Sequence, residues 1–281
     1  MRSRPGKRQK PSRSTLPQAR ISCWAATDVG LKREDNEDSF LVEPSLGLFM
    51  VADGMGGHAG GGTASRMAVR QVRDAVLAAR RGGGLFDRSA AEVESSRVFD
   101  FLAGVISETS ARIFEESNRR PELSGMGTTL TLLLIHGRRA YVAHVGDSRL
   151  YRLRDGSFHQ ITEDHSLVNE QVKAGFITAV EAQQSRFRNI ITRSVGFESE
   201  VTPDTLSLEL EDGDVFLLCS DGLSGMVGDE RMEAELRVGR LADSPARMIG
   251  LAKRNGGDDN ITLAVVRVRL PGLPAAAKAR R

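Results

Sequence analysis

Two strongly apolar runs in this 281-residue chain end in the same way. "LFMVADGMGG" (48–57) and "FLLCSDGLSG" (216–225) each pass through one small residue to Asp-Gly, an apolar residue and a further glycine. An apolar run of about five residues bounded by a turn signal reads as a strand. Asp-Gly at its end lets a carboxylate project from the sheet while glycine permits a sharp turn and close backbone approach. One such junction is ordinary turn chemistry. Two of them suggest that Asp53 and Asp221 are matching carboxylates delivered to one cleft.

The glycine-rich stretch after Asp53 invites a rival reading as a nucleotide phosphate cradle. That reading fails on spelling. No Gly-Lys-Ser/Thr closes the loop, and Ala59 stands where the last glycine of GxGxxG should be. A grip on a metal ion needs more carboxylates, and the chain supplies them at similar boundaries. "KREDNEDSF" sets Glu37 and Asp38 just before a strand, "HVGDSRL" sets Asp147 at a turn between strands, and "NGGDDNITLAVV" sets Asp258 and Asp259 before another. Acids gathered at one site repel each other unless cations compensate, and hard divalent ions take oxygen ligands. A soft-metal site is excluded by the absence of paired Cys motifs and of HExxH.

Charge distribution supports the same reading. The formal net charge is +2, but the first twenty residues hold seven basic residues and the last eleven hold three, with no acid in either. Setting those ten aside leaves 29 basic against 37 acidic residues, so the body is about −8. The expected organisation is a basic disordered leader over 1–19, one catalytic domain over 20–270, and a basic tail over 271–281. No apolar run reaches the roughly 20 residues of a membrane span, and no apolar core follows the basic start, so a cytoplasmic protein is expected. Cys23 and Cys219 make no disulfide framework, and Cys219 in "VFLLCS" reads as a small buried hydrophobe. No arginine closes the loop after Cys219, which reads "SDGLSGMV", so an anion-binding loop built on that thiol is not spelled here.

Apolar spacing predicts long amphipathic helices over 61–81 and 98–118 and shorter ones over 166–185, 229–237 and 244–254. Strands are expected at 39–42, 47–52, 128–136, 140–146, 149–153, 205–210, 214–219 and 260–269, several joined by hairpin-sized turns. Helices and strands do not alternate strictly, which argues for an α+β fold with mostly antiparallel sheet.

Six motifs in order, "KREDNEDSF", "VADGMGGHAGGGTAS", "GMGTTLTLLL", "AHVGDSRLYRL", "LLCSDGLSGMV" and "GGDDNITLAVV", resemble the metal-dependent Ser/Thr protein phosphatases of type 2C. The spelling "DGMGGH" is similar to the bacterial branch. The resemblance covers about Ile21 to Val268. It implies a four-layer αββα sandwich with two Mn²⁺ or Mg²⁺ ions at one edge of the sheets, and hydrolysis of phosphoserine and phosphothreonine by a water or hydroxide that the two-metal centre activates. By the same resemblance Asp53 bridges the metals, Asp221 and Asp259 complete the first, and Glu37 with the Gly54 carbonyl serves the second. Asp38 holds the attacking water and Arg33 clamps the substrate phosphate. A third ion, common in bacterial relatives, falls on Asp147 and Asp221. Many eukaryotic relatives carry a His directly after the Asp-Gly; here Met55 stands there and the nearest histidine is His58, so the general acid stays open. Residues 164–189 correspond to a flap beside the active site, read as helix-turn-helix with Gly175 at the turn. Implied partners are phosphorylated proteins, including a Ser/Thr kinase, acted on by a monomer. The competing class is a regulatory scaffold that binds nucleic acid or an anionic surface through the basic arm.

Overall fold

The computed structural model describes residues 19–56, 60–82, 84–86 and 93–270. The chain begins with β1 (Arg20–Asp28), β2 (Ser39–Glu43), β3 (Leu48–Ala52) and β4 (Gly54–Met55), followed by the long helices α1 (Gly60–Arg81) and α2 (Ser95–Arg119). A run of strands follows: β5 (Gly127–Thr128), β6 (Leu130–His136), β7 (Arg139–Val145), β8 (Arg149–Arg154) and β9 (Ser157–Gln160). Two short helices, α3 (Leu167–Lys173) and α4 (Ala179–Gln184), precede β10 (Asp204–Glu209) and β11 (Val215–Cys219). The chain closes with α5 (Asp221–Ser224), α6 (Asp229–Arg237), α7 (Ser244–Arg254) and β12 (Ile261–Arg269).

Ten strands form two five-stranded antiparallel sheets, in the orders β1-β12-β11-β8-β9 and β10-β7-β6-β3-β2. The sheets pack face to face. Phe49 and Val51 of β3 meet Phe216 and Leu218 of β11 and Val266 of β12 in one buried cluster. The alternate residues point outward: Leu48, Met50 and Ala52 pack on α1 and α2, while Leu217 and Cys219 pack with Met232 of α6 and Met248 of α7. This explains why β3 and β11 read as unbroken apolar runs. Each face of each strand is covered, so no position is free to be polar. Every such side chain contributes roughly 1.5–3 kcal/mol by leaving water. The result is the expected four-layer αββα sandwich.

The element boundaries match the sequence reading within a few residues, with four differences. The strand expected over 128–136 is broken at Thr129, whose hydroxyl bonds Ser148 and the Asp53 amide. The edge strand β1 was not anticipated; "RISCWAATD" is only partly buried and gains its strand geometry from nine-residue pairing with β12. The edge strand β9 and the single turn α5 are likewise too short to leave a periodic pattern. The helix-turn-helix expected with Gly175 at its turn is present as α3 and α4, separated by a turn in which Gly175 has φ +76°. His58 and both basic tails lie outside the described residues.

Candidate metal centre

The twin Asp-Gly junctions reach one place from opposite sheets. β3 delivers Asp53 and β11 delivers Asp221, and the two carboxyl groups are direct electrostatic neighbours. Their local structures differ. After Asp53 the chain stays extended as β4, paired with β5, whereas Asp221 opens the turn α5. Both glycines are demanded by close backbone approach. A Cβ at Gly54 would strike the Gly61 carbonyl and sit 2.6 Å from the Glu37 carbonyl oxygen, and one at Gly222 would strike the Asn260 carbonyl.

Glu37 meets the start of α1. The amides of Gly61 and Gly62 donate to its carboxylate, so the glycine run supplies N–H groups to a protein carboxylate. Gly61 has a second use. A Cβ there would lie 2.7 Å from the Gly54 carbonyl carbon and 2.8 Å from both the Gly54 carbonyl oxygen and Glu37 Oε1. The missing side chain is what lets these two oxygens stand together. Gly61→Ala favours the helix by roughly 0.5–1 kcal/mol on propensity, yet it should weaken Mn²⁺ binding at least tenfold by calorimetry. Unaltered binding would remove the Glu37–Gly54 pair from the site.

The remaining acids are electrostatic neighbours of this pair. Asp259 interacts with Asp38, Asp221 and Glu37, and Asp147 interacts with Asp53 and Asp221. Burial of the carboxyl group is the leading cause of the raised pKa at Glu37, Asp38, Asp53, Asp147 and Asp221; repulsion from neighbouring acids follows at Asp53, Asp147 and Asp221, whereas hydrogen bonds oppose the shift at Glu37 and Asp38. It pushes Asp38 up to about 7 and Asp147 up to about 8. Asp53 is raised well above the usual carboxylate range, and Asp221 and Glu37 are raised as well. Arg33 offsets part of this charge with a 2.7 Å ion pair to Asp259, whose side chain is 29% exposed.

One feature of these oxygens favours a cation. Glu37 Oε1, Asp38 Oδ1, Asp147 Oδ1 and Asp221 Oδ1 are buried without any hydrogen-bond partner. An unpaired buried acceptor is costly, and four hard oxygen donors in one acid cluster suit a hard divalent ion. Among the described residues no three His, Cys, Asp or Glu side chains close into a ready cage. The donor set therefore fits the ions while its final spacing depends on them.

Several supporting residues escaped the sequence reading. Ser220 Oγ donates to Asp38 Oδ2 at 2.8 Å and Thr262 also bonds that carboxylate. Thr128 Oγ1 donates to the Asp53 carbonyl at 2.8 Å, and the Asp53 amide donates to Thr129 Oγ1 at 2.9 Å. Asn260 accepts from the Glu37 amide and donates to the Val29 and Asp35 carbonyls, tying the Arg33–Asp38 loop to the start of β12. Asn36 caps its own turn by accepting from the Asp38 amide. The only sequence signal was that these hydroxyls and amides adjoin the acids. Cys219 is fully buried and its thiol is pushed up to about 12, so it is no nucleophile.

Comparison with known proteins agrees with this geometry. A family profile described as protein phosphatase 2C matches residues 27–259. The serine/threonine protein phosphatase PstP of Mycobacterium tuberculosis is 40% identical over 244 residues, which are 87% of this chain and 44% of that protein. The chain thus spans less than half the length of that relative. Protein phosphatase PhpP of Streptococcus pneumoniae is 38% identical over 85% of this chain and 94% of its own length. A crystal structure of the PstP catalytic domain in complex with two manganese ions superposes with a TM-score of 0.77 at 37% identity, covering 90% of this chain and all of that one. Sandwich, acid cluster and similarity together show that the chain belongs to the protein phosphatase 2C family.

Proposed function

We propose that this chain is a metal-dependent protein serine/threonine phosphatase that removes phosphate from phosphoserine and phosphothreonine in proteins. The observation that carries this reading is the set of unpaired buried carboxylate oxygens beside one exposed arginine. Asp53, Asp221 and Asp259 would hold one Mn²⁺ or Mg²⁺, and Asp53, Glu37 and the Gly54 carbonyl a second; Asp147 with Asp221 would hold a third. When bound, such ions lower the pKa of water and neutralise charge developing on a phosphoryl group.

The chain's own groups do the rest. Arg33 is half-exposed at the rim, where its planar fork suits two phosphate oxygens and would be free for them once Asp259 served as a metal ligand. Asp38 is buried and held on one oxygen by Ser220 and Thr262, leaving Oδ1 to orient the attacking water and accept its proton. The tight loop of Asn260 contacts keeps Arg33 and Asp38 at a fixed separation from Asp259.

We further propose that residues 20–270 form the catalytic domain, with 164–189 as its flap, and that the basic leader and tail are appendages to it. No helix among the described residues is long and apolar enough to cross a membrane. A monomer working in the cytoplasm, opposing a bacterial Ser/Thr kinase, is the assignment consistent with bacterial relatives named as Ser/Thr phosphatases. The test is turnover of a phosphothreonine peptide with Mn²⁺ by full-length protein and by protein lacking residues 1–19. Both should turn over within about twofold of each other, and chelation should abolish the reaction. No Mn²⁺-dependent release of phosphate, or release lost with the leader, would favour the scaffold instead.

A further inference from the structure

Asp147 has no side chain holding it from within its own turn: Oδ1 is buried and unpartnered, and the residue before it is a glycine at φ +107°. Something must fix that turn from outside. A Cβ at Gly146 would lie 2.5 Å from the Thr129 side chain, so one flank is closed by packing. The other flank is closed by His165, which is buried and bonded to Gly146 twice. Its backbone amide donates to the Gly146 carbonyl at 2.7 Å, and its ring Nδ1 stands 3.1 Å from the Gly146 amide.

That second bond fixes the ring chemistry. The Gly146 amide is a donor, so Nδ1 must accept, and the ring proton sits on Nε2. Nε2 lies 3.2 Å from Asp204 Oδ2, the acceptor that this tautomer requires. Asp204 is in turn held by Arg193 through its other oxygen at 2.7 Å. A continuous line therefore runs Arg193, Asp204, His165, Gly146, Asp147. Its outer members stand on either side of the segment that carries α3 and α4, whose base is closed by the Thr192 amide donating to the His165 carbonyl at 2.9 Å.

We propose that His165 is a positioning residue: by accepting the Gly146 amide it aims the Asp147 carboxylate into the metal centre. This rests on the phosphatase reading for the presence of ions, and on the hydrogen-bond geometry for the role of the ring. Groups that orient a ligand from behind usually matter about 10–100-fold in metal affinity.

Two substitutions separate the ring's two nitrogens. His165→Asn places an amide oxygen near the position of Nδ1 and keeps the acceptor for Gly146. His165→Gln reaches toward Asp204 and leaves the Gly146 amide without its acceptor. The measurement is calorimetric titration of full-length, metal-free protein with Mn²⁺, with thermal melting in chelator as the control for folding. The weakest-bound Mn²⁺ should lose at least tenfold in affinity in His165→Gln and stay within about threefold in His165→Asn, the tighter ions being unchanged in both. Equal weakening in Asn and Gln, or wild-type binding in Gln, overturns the proposal. If His165→Gln does not fold, Asp204→Asn removes the charge behind Nε2 at a half-exposed position. It should weaken the same ion a few-fold without lowering the melting temperature, and unchanged affinity overturns the role of the line. Wild-type protein that takes up no Mn²⁺ sinks the phosphatase reading itself, whereas normal uptake with an indifferent His165→Gln sinks only this inference.

Discussion

Replacing Asp53 or Asp221 with asparagine is expected to abolish turnover and, in the metal-free protein, to raise stability. The two effects have one cause. Desolvation, with repulsion from Asp38, Asp221 and Asp147, raises the Asp53 pKa well above the usual carboxylate range. Asparagine keeps the shape and a hydrogen-bond donor while removing the group that must ionise, so in chelator the melting temperature should rise or hold. The same change removes a negative oxygen that would join two ions, which eliminates charge compensation where phosphate is attacked. Losing a single preorganised donor to such charge costs about 10²–10³ in kcat, and a group shared by both ions should cost at least about 10³. Asp221→Asn should behave alike. The comparison is phosphothreonine-peptide turnover with Mn²⁺ alongside melting in chelator. Unchanged turnover in both variants would remove these residues from the centre. Melting lowered by several degrees would mean that their burial is structural support and not stored repulsion.

The second large effect is the response of the metal-free protein to pH. An acid whose folded pKa is raised keeps a proton that the unfolded chain releases, so stability declines with rising pH between the unfolded and folded values. For Asp38 and Asp147 that interval runs from about 4 to about 7 and about 8, and the raised Asp53 acts in the same direction. Two histidines work in the opposite direction over part of it. Burial lowers His144 to about 4 and lowers His165 as well, so both resist the protonation that the unfolded chain accepts below about 6.5. Carboxylates held low by ion pairs, such as Asp28 beside Lys253, have delivered their stability by pH 5. The clear window is therefore about pH 6.5–8. In chelator the melting temperature should fall across it. With Mn²⁺ it should not fall, since ions replace protons on the same oxygens. Each ion at 100 times its dissociation constant adds about 2.7 kcal/mol, or roughly 5–10 °C in a chain of this size. A metal-free melting temperature that climbs from pH 6.5 to 8 would contradict the shared burial of these acids.

The sandwich was legible because β3 and β11 are covered on both faces and must be continuously apolar, and because α1 and α2 each bury one long stripe. The edge strands β1 and β9 were not legible, since partly exposed edges tolerate mixed residues and take their geometry from a neighbour. The acids followed the same logic. Strand-end Asp-Gly marks Asp53 and Asp221 by local chemistry, and strand-boundary settings mark Glu37, Asp38, Asp147 and Asp259, while Arg33 and the separate role of each acid came through motif resemblance.

What the sequence determined by itself is the strand–Asp-Gly pattern, the acidic body and the family they spell, because apolar periodicity and turn chemistry are local properties. Tertiary structure alone decided how those acids meet. It set Glu37 on the start of α1 over a glycine that has no side chain to separate it from Gly54. It paired Arg33 with Asp259 across 226 positions of sequence, and hung Asp147 from a histidine eighteen residues away. Such contacts are distances between segments brought together by the packing of two sheets, and no local pattern of residues encodes a distance across a sandwich.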